Sequence, residues 1–155
     1  MAVIEVIPAR ASHLRRIAAV MRQADRDEIR AASGRSPLSA LSCSFRKSRH
    51  AWVVLIDGQP EVIFGVGDLN ILAGVGAPWL LGSDKIWQNR REFMRGSRQV
   101  LDQMLGMYST LRNVVDCRNS ASIRWLGWLG FRFSQPFDLR GHPFMLFEMH
   151  DTSPT

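Results

Sequence analysis

Asp57–Gly58 stands between two apolar, β-branched runs, 52–56 (WVVLI) and 61–66 (EVIFGV). A two-residue Asp-Gly link matches the right-handed twist of paired strands, so this stretch predicts an antiparallel hairpin. Downstream the pattern changes. Residues 78–82 form a strand, and Ser83–Asp84 open a helical region reaching Tyr108 with Phe93, Ser97, Val100, Leu101, Met104 and Tyr108 on its inner face. Residues 113–117 form the next strand. Asn119 or Ser120 caps a helix through Leu129, and Gly130 closes it in the left-handed conformation. Residues 131–133 and 144–148 supply the last strands. Upstream, residues 3–7 form a strand ended by Pro8, which has no N–H to give a ladder. Ser12 caps a helix to Met21 whose inner face is Leu14, Ile17, Ala18 and Met21. A second helix covers 25–32 and stops at Gly34. Ser36–Pro37 opens a third through Lys47. The order β-α-α-(α)-β-β-β-α-β-α-β-β combines a hairpin with strand–helix–strand crossings. It predicts an α/β fold with a mixed, α+β-type sheet and helices on its faces.

A chain of 155 residues suits one domain, assigned to 1–150, with 151–155 as a polar tail. The net charge of +6 fits an acidic partner, whether nucleic acid, a phosphorylated cofactor or an acidic protein, without choosing among them. The apolar stretch 71–82 is interrupted by Gly and Pro and falls short of the roughly 20 residues a membrane helix needs, so no span is expected. The start, MAVIE, lacks the basic region of a secretory signal. Two cysteines, Cys43 and Cys117, make neither a disulfide framework nor a zinc spacing, and are expected as reduced thiols inside a cell. His13, His50, His142 and His150 have no metal-ligand spacing, so no metal is expected. Gly65–Val66–Gly67 lacks the third glycine of a dinucleotide loop.

The block 113–131 reads NVVDCRNSASIRWLGWLGF. A strand, an Asn, a short helix with Ile-Arg, and a Leu-Gly-Phe entering the next strand together resemble the last block of the GNAT N-acetyltransferase family. Asn119, Ile123, Arg124, Leu129, Gly130 and Phe131 hold the matching offsets, and the whole element order is similar. Together with the entry 84–87 (DKIW) and the basic helix 90–108, the block also resembles small GNAT-like internal virion or virion-assembly proteins of short-tailed phages.

The resemblance implies acetyl-CoA held between two splayed strands, with its pyrophosphate on backbone N–H groups at the start of the following helix. Leu81, Arg90, Arg91, Asn119 and Arg124 are the implied cofactor-binding residues. Asn119 also serves as a helix cap. The family's loop, Gln/Arg-x-x-Gly-x-Gly/Ala, is here QNRREF at 88–93, with no glycine at either place, and the expectation is that Arg90 and Arg91 compensate through side-chain contacts. The family's acid, a Tyr seven residues beyond the Asn, is replaced by Leu126, and Tyr108 lies on another helix. Asp116, a carboxylate in an apolar strand, is the candidate catalytic base, and Asp68 is a second. These features imply a phage-encoded N-acetyltransferase with a degenerate active site. The alternative is a non-catalytic virion or assembly protein of the same fold, with a virion or host protein as partner. Both expectations put it in the cytoplasm of an infected bacterium or packaged in the particle. Nucleic-acid binding through Arg90, Arg91, Arg95 and Arg98 is the weakest reading, since no aromatic platform accompanies the charge.

Overall fold

The computed structural model describes residues 2–152. Strand β1 (Ile4–Pro8) leads through a 3-10 turn into α1 (Leu14–Val20), α2 (Gln23–Ser33) and α3 (Pro37–Lys47). Then come β2 (Ser48–Ile56), β3 (Gln59–Asn70) and β4 (Val75–Gly82), followed by α4 (Lys85–Gln88), α5 (Arg90–Met107), β5 (Thr110–Asp116) and α6 (Ser120–Leu129). The chain ends in β6 (Arg132–Phe133), β7 (Phe137–Leu139) and β8 (His142–His150). The eight strands form one sheet in the order β1-β2-β3-β4-β5-β8-β6, with β7 also on β8. Every pairing is antiparallel except β4 with β5.

Alternation along the strands sends successive side chains to opposite faces. Val53 and Ile63 face α1 and α3, packing with Leu14, Ile17, Met21 and Leu41. Phe64 and Val66 face α5 and α6, packing with Leu101, Met104, Leu126 and Leu129. Burying both faces is what allows a sheet this wide to carry apolar residues on each side.

The Asp57–Gly58 turn has the two positive φ values, 50° and 81°, that its sequence demands. Ser36 caps α3 by accepting from the Ser39 N–H at 3.2 Å. Elsewhere the structure departs from the sequence expectation. Ser12 is not the cap of α1: it lies inside the 3-10 turn Ala11–His13, and the Arg10 N–H donates to His13 Nδ1 at 3.0 Å. The helix expected over 83–108 is two helices, because the Asn89 side-chain amide donates to the Lys85 carbonyl at 2.9 Å and closes α4. The glycine-rich connection is mostly strand. Gly76 belongs to β4 because a Cβ there would stand 2.5 Å from the Tyr108 ring, so only glycine lets the strand pass beneath α5. Strand β7 was not expected; it forms a hairpin with β8 through Arg140 and Gly141, both at positive φ.

Candidate functional site

β4 and β5 are neighbours for only a short distance. They pair at Val75 with Thr110 and Gly76 with Leu111, and no further. Pro78 has no N–H to continue the ladder. Its carbonyl instead accepts from Asn113 Nδ2 at 2.9 Å, a side chain bridging strands that have begun to part. Backbone direction alternates along a strand. The Pro78 carbonyl and the Gly82 amide, which donates to Asp25 Oδ2 at 3.2 Å, both face away from β3. Leu80, between them, therefore turns its N–H and C=O into the gap, while Leu81 is in register with Ile63 of β3. The gap opens into a cavity of about 190 Å³ running under α5 and α6.

Helix α2, with Arg22 just before it as the N-cap, crosses the far end of this gap and carries Asp25 and Glu28 three residues apart. That spacing lines them on one helix face. Arg22 and Asp25 are buried, paired at 2.7 Å. Arg22 also reaches Ser122 Oγ at 3.3 Å and lies 5.6 Å from the Trp87 ring centre. Glu28 lines the cavity. Its Oε1 accepts from the Asp116 N–H at 2.6 Å and its Oε2 from Asn119 Nδ2 at 3.1 Å. Burial, aided by the negative charges of Asp25 and Asp116 and opposed by those two hydrogen bonds, pushes the Glu28 carboxyl up to about 7. A half-buried carboxyl that titrates near neutrality can exchange a proton with a ligand.

Asp116 is buried at the end of β5, and its carboxylate pairs with Arg118 at 2.7 Å. Burial alone would raise it, but the Arg118 side chain and N–H outweigh that and hold the Asp116 carboxyl below its ordinary value. It is thus a fixed negative charge beside Glu28. Asn119 is buried: its Oδ1 accepts from the Ser122 N–H at 3.4 Å as the expected cap of α6, while its amide donates to Glu28. Arg90 and Arg91 open α5 and are exposed; Arg124 is exposed on α6. Asp68 is remote from the cavity and accepts from the Tyr108 hydroxyl at 2.5 Å. Burial and that carboxylate push the Tyr108 phenol up to about 12, and Leu126 lines the cavity where the family has its Tyr. Among the described residues no cluster of His, Cys, Asp or Glu could hold a metal ion, and no helix is long and apolar enough to cross a membrane.

Trp87 Nε1, at the α4–α5 turn, is a buried side-chain donor that has no hydrogen-bond partner among the described residues. The first N–H groups of α5, which no turn of that helix satisfies, suit an acceptor oxygen.

A mixed sheet parted between its two parallel neighbours, flanked by helices on both faces, is the acyl-CoA N-acyltransferase fold of the GNAT acetyltransferases, and this chain has it. Similar solved structures include a ribosomal-protein-S5-alanine acetyltransferase from Vibrio fischeri (14% identity, TM-score 0.68, covering 96% of this chain and 93% of that one). A GNAT-family acetyltransferase from Streptococcus pneumoniae is 14% identical with TM-score 0.61, covering 95% and 98%. An aminoglycoside acetyltransferase solved with coenzyme A is 10% identical with TM-score 0.67, covering 96% and 95%. In sequence, no protein-family model and no curated protein matches.

The Arg22–Asp25–Glu28 group escaped the sequence expectation, which read 25–32 only as a short helix. Charges at 25, 26, 27, 28 and 30 make the three-residue spacing of Asp25 and Glu28 hard to single out along the chain.

Proposed function

We propose that this protein is an acetyl-CoA-dependent N-acyltransferase, a reading carried by the parted β4–β5 gap with Glu28 at its inner end. Bound acyl-CoA would supply the activated acyl carbon and a thiolate leaving group. The Leu80 N–H and C=O offer an extended amide arm the two backbone bonds that β5 does not take. Arg90, Arg91 and the first N–H groups of α5 attract the phosphates, and Arg124, exposed on α6, is a further candidate for the adenosine phosphate end. Asn119 serves by orienting Glu28 and capping α6 together.

Glu28 takes a proton from the acceptor ammonium, leaving a neutral amine. The amine nitrogen then bonds to the thioester carbonyl carbon, and the C–S bond breaks. The second amine proton leaves through solvent and a proton from solvent reaches the departing thiolate. Ammonium and thioester are balanced by amide, free thiol and one proton, which Glu28 holds until it passes to solvent. Leu126 donates nothing, so solvent carries the role that a tyrosine fills elsewhere. This is the sense in which the site is degenerate.

The likeness of 84–87 and 113–131 to short-tailed-phage proteins supports the narrower proposal that the protein is phage-encoded and acts in the infected bacterium. Calorimetry with coenzyme A and acetyl-CoA tests the main reading. Binding that weakens in Asn119→Ala and Arg90→Ala is the expected result. No heat at high micromolar ligand would overturn it in favour of a non-catalytic protein of the same fold.

A further inference from the structure

We propose that this protein docks on an anionic lipid surface through the tip of its β3–β4 hairpin, with Leu69, Ile71 and Leu72 immersed and Arg46, Lys47 and Arg49 against the headgroups.

Leu69 is 54% exposed, Ile71 61% and Leu72 98%. A leucine exposed to that degree touches almost nothing of its own chain, so it stands at the summit of a protrusion. Single exposed apolar residues are ordinary, but three on one tip mark a contact surface. The tip is also held in shape. Asn70 Oδ1 accepts from the Ala73 N–H at 3.1 Å, and the Ile71 carbonyl accepts from the Gly74 N–H at 3.3 Å. The Gly74 carbonyl accepts from the Thr110 N–H at 3.1 Å and from Ser109 Oγ at 3.3 Å. Backbone groups already paired in this way lose little when water is removed, and a preformed tip has little conformational entropy left to lose.

Shape and charge together select the occupant. The tip, LNILAG over 69–74, carries aliphatic side chains and no aromatic ring, whereas protein–protein contacts are dominated by Trp, Tyr and Arg and under-use Leu. A protein would need a socket shaped to the protrusion; a bilayer takes it without one. The cations stand on the β3 flank, at the root of the tip. Ser48 is in register with Gly67, and a Cβ on Gly67 would lie 2.7 Å from the Lys47 carbonyl. Arg49 pairs with Asp68 at 3.0 Å, which neutralises that carboxylate. Arg46 and Lys47, in the last turn of α3, are exposed and have no ion-pair partner among the described residues. Asp151 lies on the other flank, where its N–H donates to the Ser109 carbonyl at the start of β5. From Gly67 strand β3 runs on to Asn70, about 10 Å at roughly 3.3 Å per residue. Apolar elements lying at an interface enter the boundary of headgroups and acyl chains by about 5–10 Å. A tip immersed that far brings Arg46 and Lys47 to the level of the lipid phosphates. The tip stands at the closed end of the β4–β5 gap, where Val75 pairs with Thr110, so docking leaves the opening at Glu28 in water.

Co-sedimentation of the purified protein with vesicles tests this, one set of phosphatidylcholine alone and one of phosphatidylcholine and phosphatidylglycerol in equal parts. The protein should bind the mixed vesicles, be released by added salt, and stay in solution with the neutral ones. Leu72→Ser alters a side chain that packs on nothing, so it should keep the parent's Tm and weaken vesicle binding on the order of tenfold. Arg46→Ala with Lys47→Ala should weaken it about thirtyfold, roughly fivefold for each cation. No binding to the mixed vesicles at low salt overturns the proposal, as does binding that Leu72→Ser leaves unchanged. A concentration-dependent dimer in the ultracentrifuge that Leu72→Ser dissolves, with no binding to vesicles, also overturns it and assigns the tip to a second copy of this chain.

Discussion

Glu28 shows how one residue's environment sets its chemistry. Its carboxyl is squeezed from both sides: burial and the charges of Asp25 and Asp116 favour the neutral form, while the Asp116 N–H and the Asn119 amide favour the ionised one. The first set wins, and the group titrates at about 7. Catalysis by the ionised form should therefore rise as pH increases through neutrality. Glu28→Gln should lower kcat by about 10²–10⁴ and remove that acidic limb from the rate profile. The same shift has a stability consequence of definite sign. The folded state binds the Glu28 proton more tightly than the unfolded chain, so its contribution is fully present below the ordinary value of 4.5 and is lost as pH rises through about 7. Glu28→Gln escapes that loss. The difference in Tm between variant and parent should move in the variant's favour from pH 5 to pH 8, and thermal melts at both pH values measure it. A difference independent of pH would mean that Glu28 is not held up by its surroundings.

At the scale of elements, the glycines separate two kinds of helix–strand relation. Gly76 in β4 is covered by the Tyr108 ring, and a methyl group there has nowhere to go. Gly76→Ala should destabilise by about 1–3 kcal/mol, or roughly 3–10 °C in Tm, by forcing β4 away from the end of α5. Gly96, in the middle of α5, has open space around its Cβ position. Gly96→Ala should stabilise by about 0.5–1 kcal/mol through helix propensity alone. Calorimetric melts of the two variants should shift in opposite directions.

This contrast also explains what the sequence disclosed. Periodicity and turn chemistry exposed the hairpin at Asp57–Gly58, the Ser36 cap and the 113–131 block, because each is governed by neighbours along the chain. Gly76 is governed by Tyr108, 32 positions away, so its stretch read as a connection although it is strand. The site divides the same way. Asn119 and the arginines of α5 belong to local motifs, so the sequence alone names them as candidates. Glu28 became a candidate only when α2 was laid across the end of β5, a contact with no local trace beyond the three-residue spacing of its charges.

For the whole molecule, the net charge of +6 matters through where it is left unpaired. Arg16, Arg22, Arg49, Arg112 and Arg118 are matched by Glu61, Asp25, Asp68, Glu148 and Asp116. Arg90 and Arg91 have no such partner among the described residues, and they stand at the N-terminus of an 18-residue helix. Part of the surplus thus stands where a polyanionic ligand gains from it. Because such a ligand binds only the folded chain, coenzyme A should raise Tm. At 100 times its dissociation constant the stabilisation is about 2.7 kcal/mol, or roughly 5–10 °C for a domain of this size. Two exposed arginines act partly through screened, long-range attraction, so the upshift should shrink as salt is added. Arg90→Ala with Arg91→Ala should give a smaller upshift at low salt and a flatter dependence on salt, with the Tm of the free protein unchanged within about a degree because neither side chain packs on the core. Melts at two salt concentrations, with and without coenzyme A, measure all of these quantities. A double variant that retains the full, salt-dependent upshift would mean that the phosphates rest on the backbone of α5 alone.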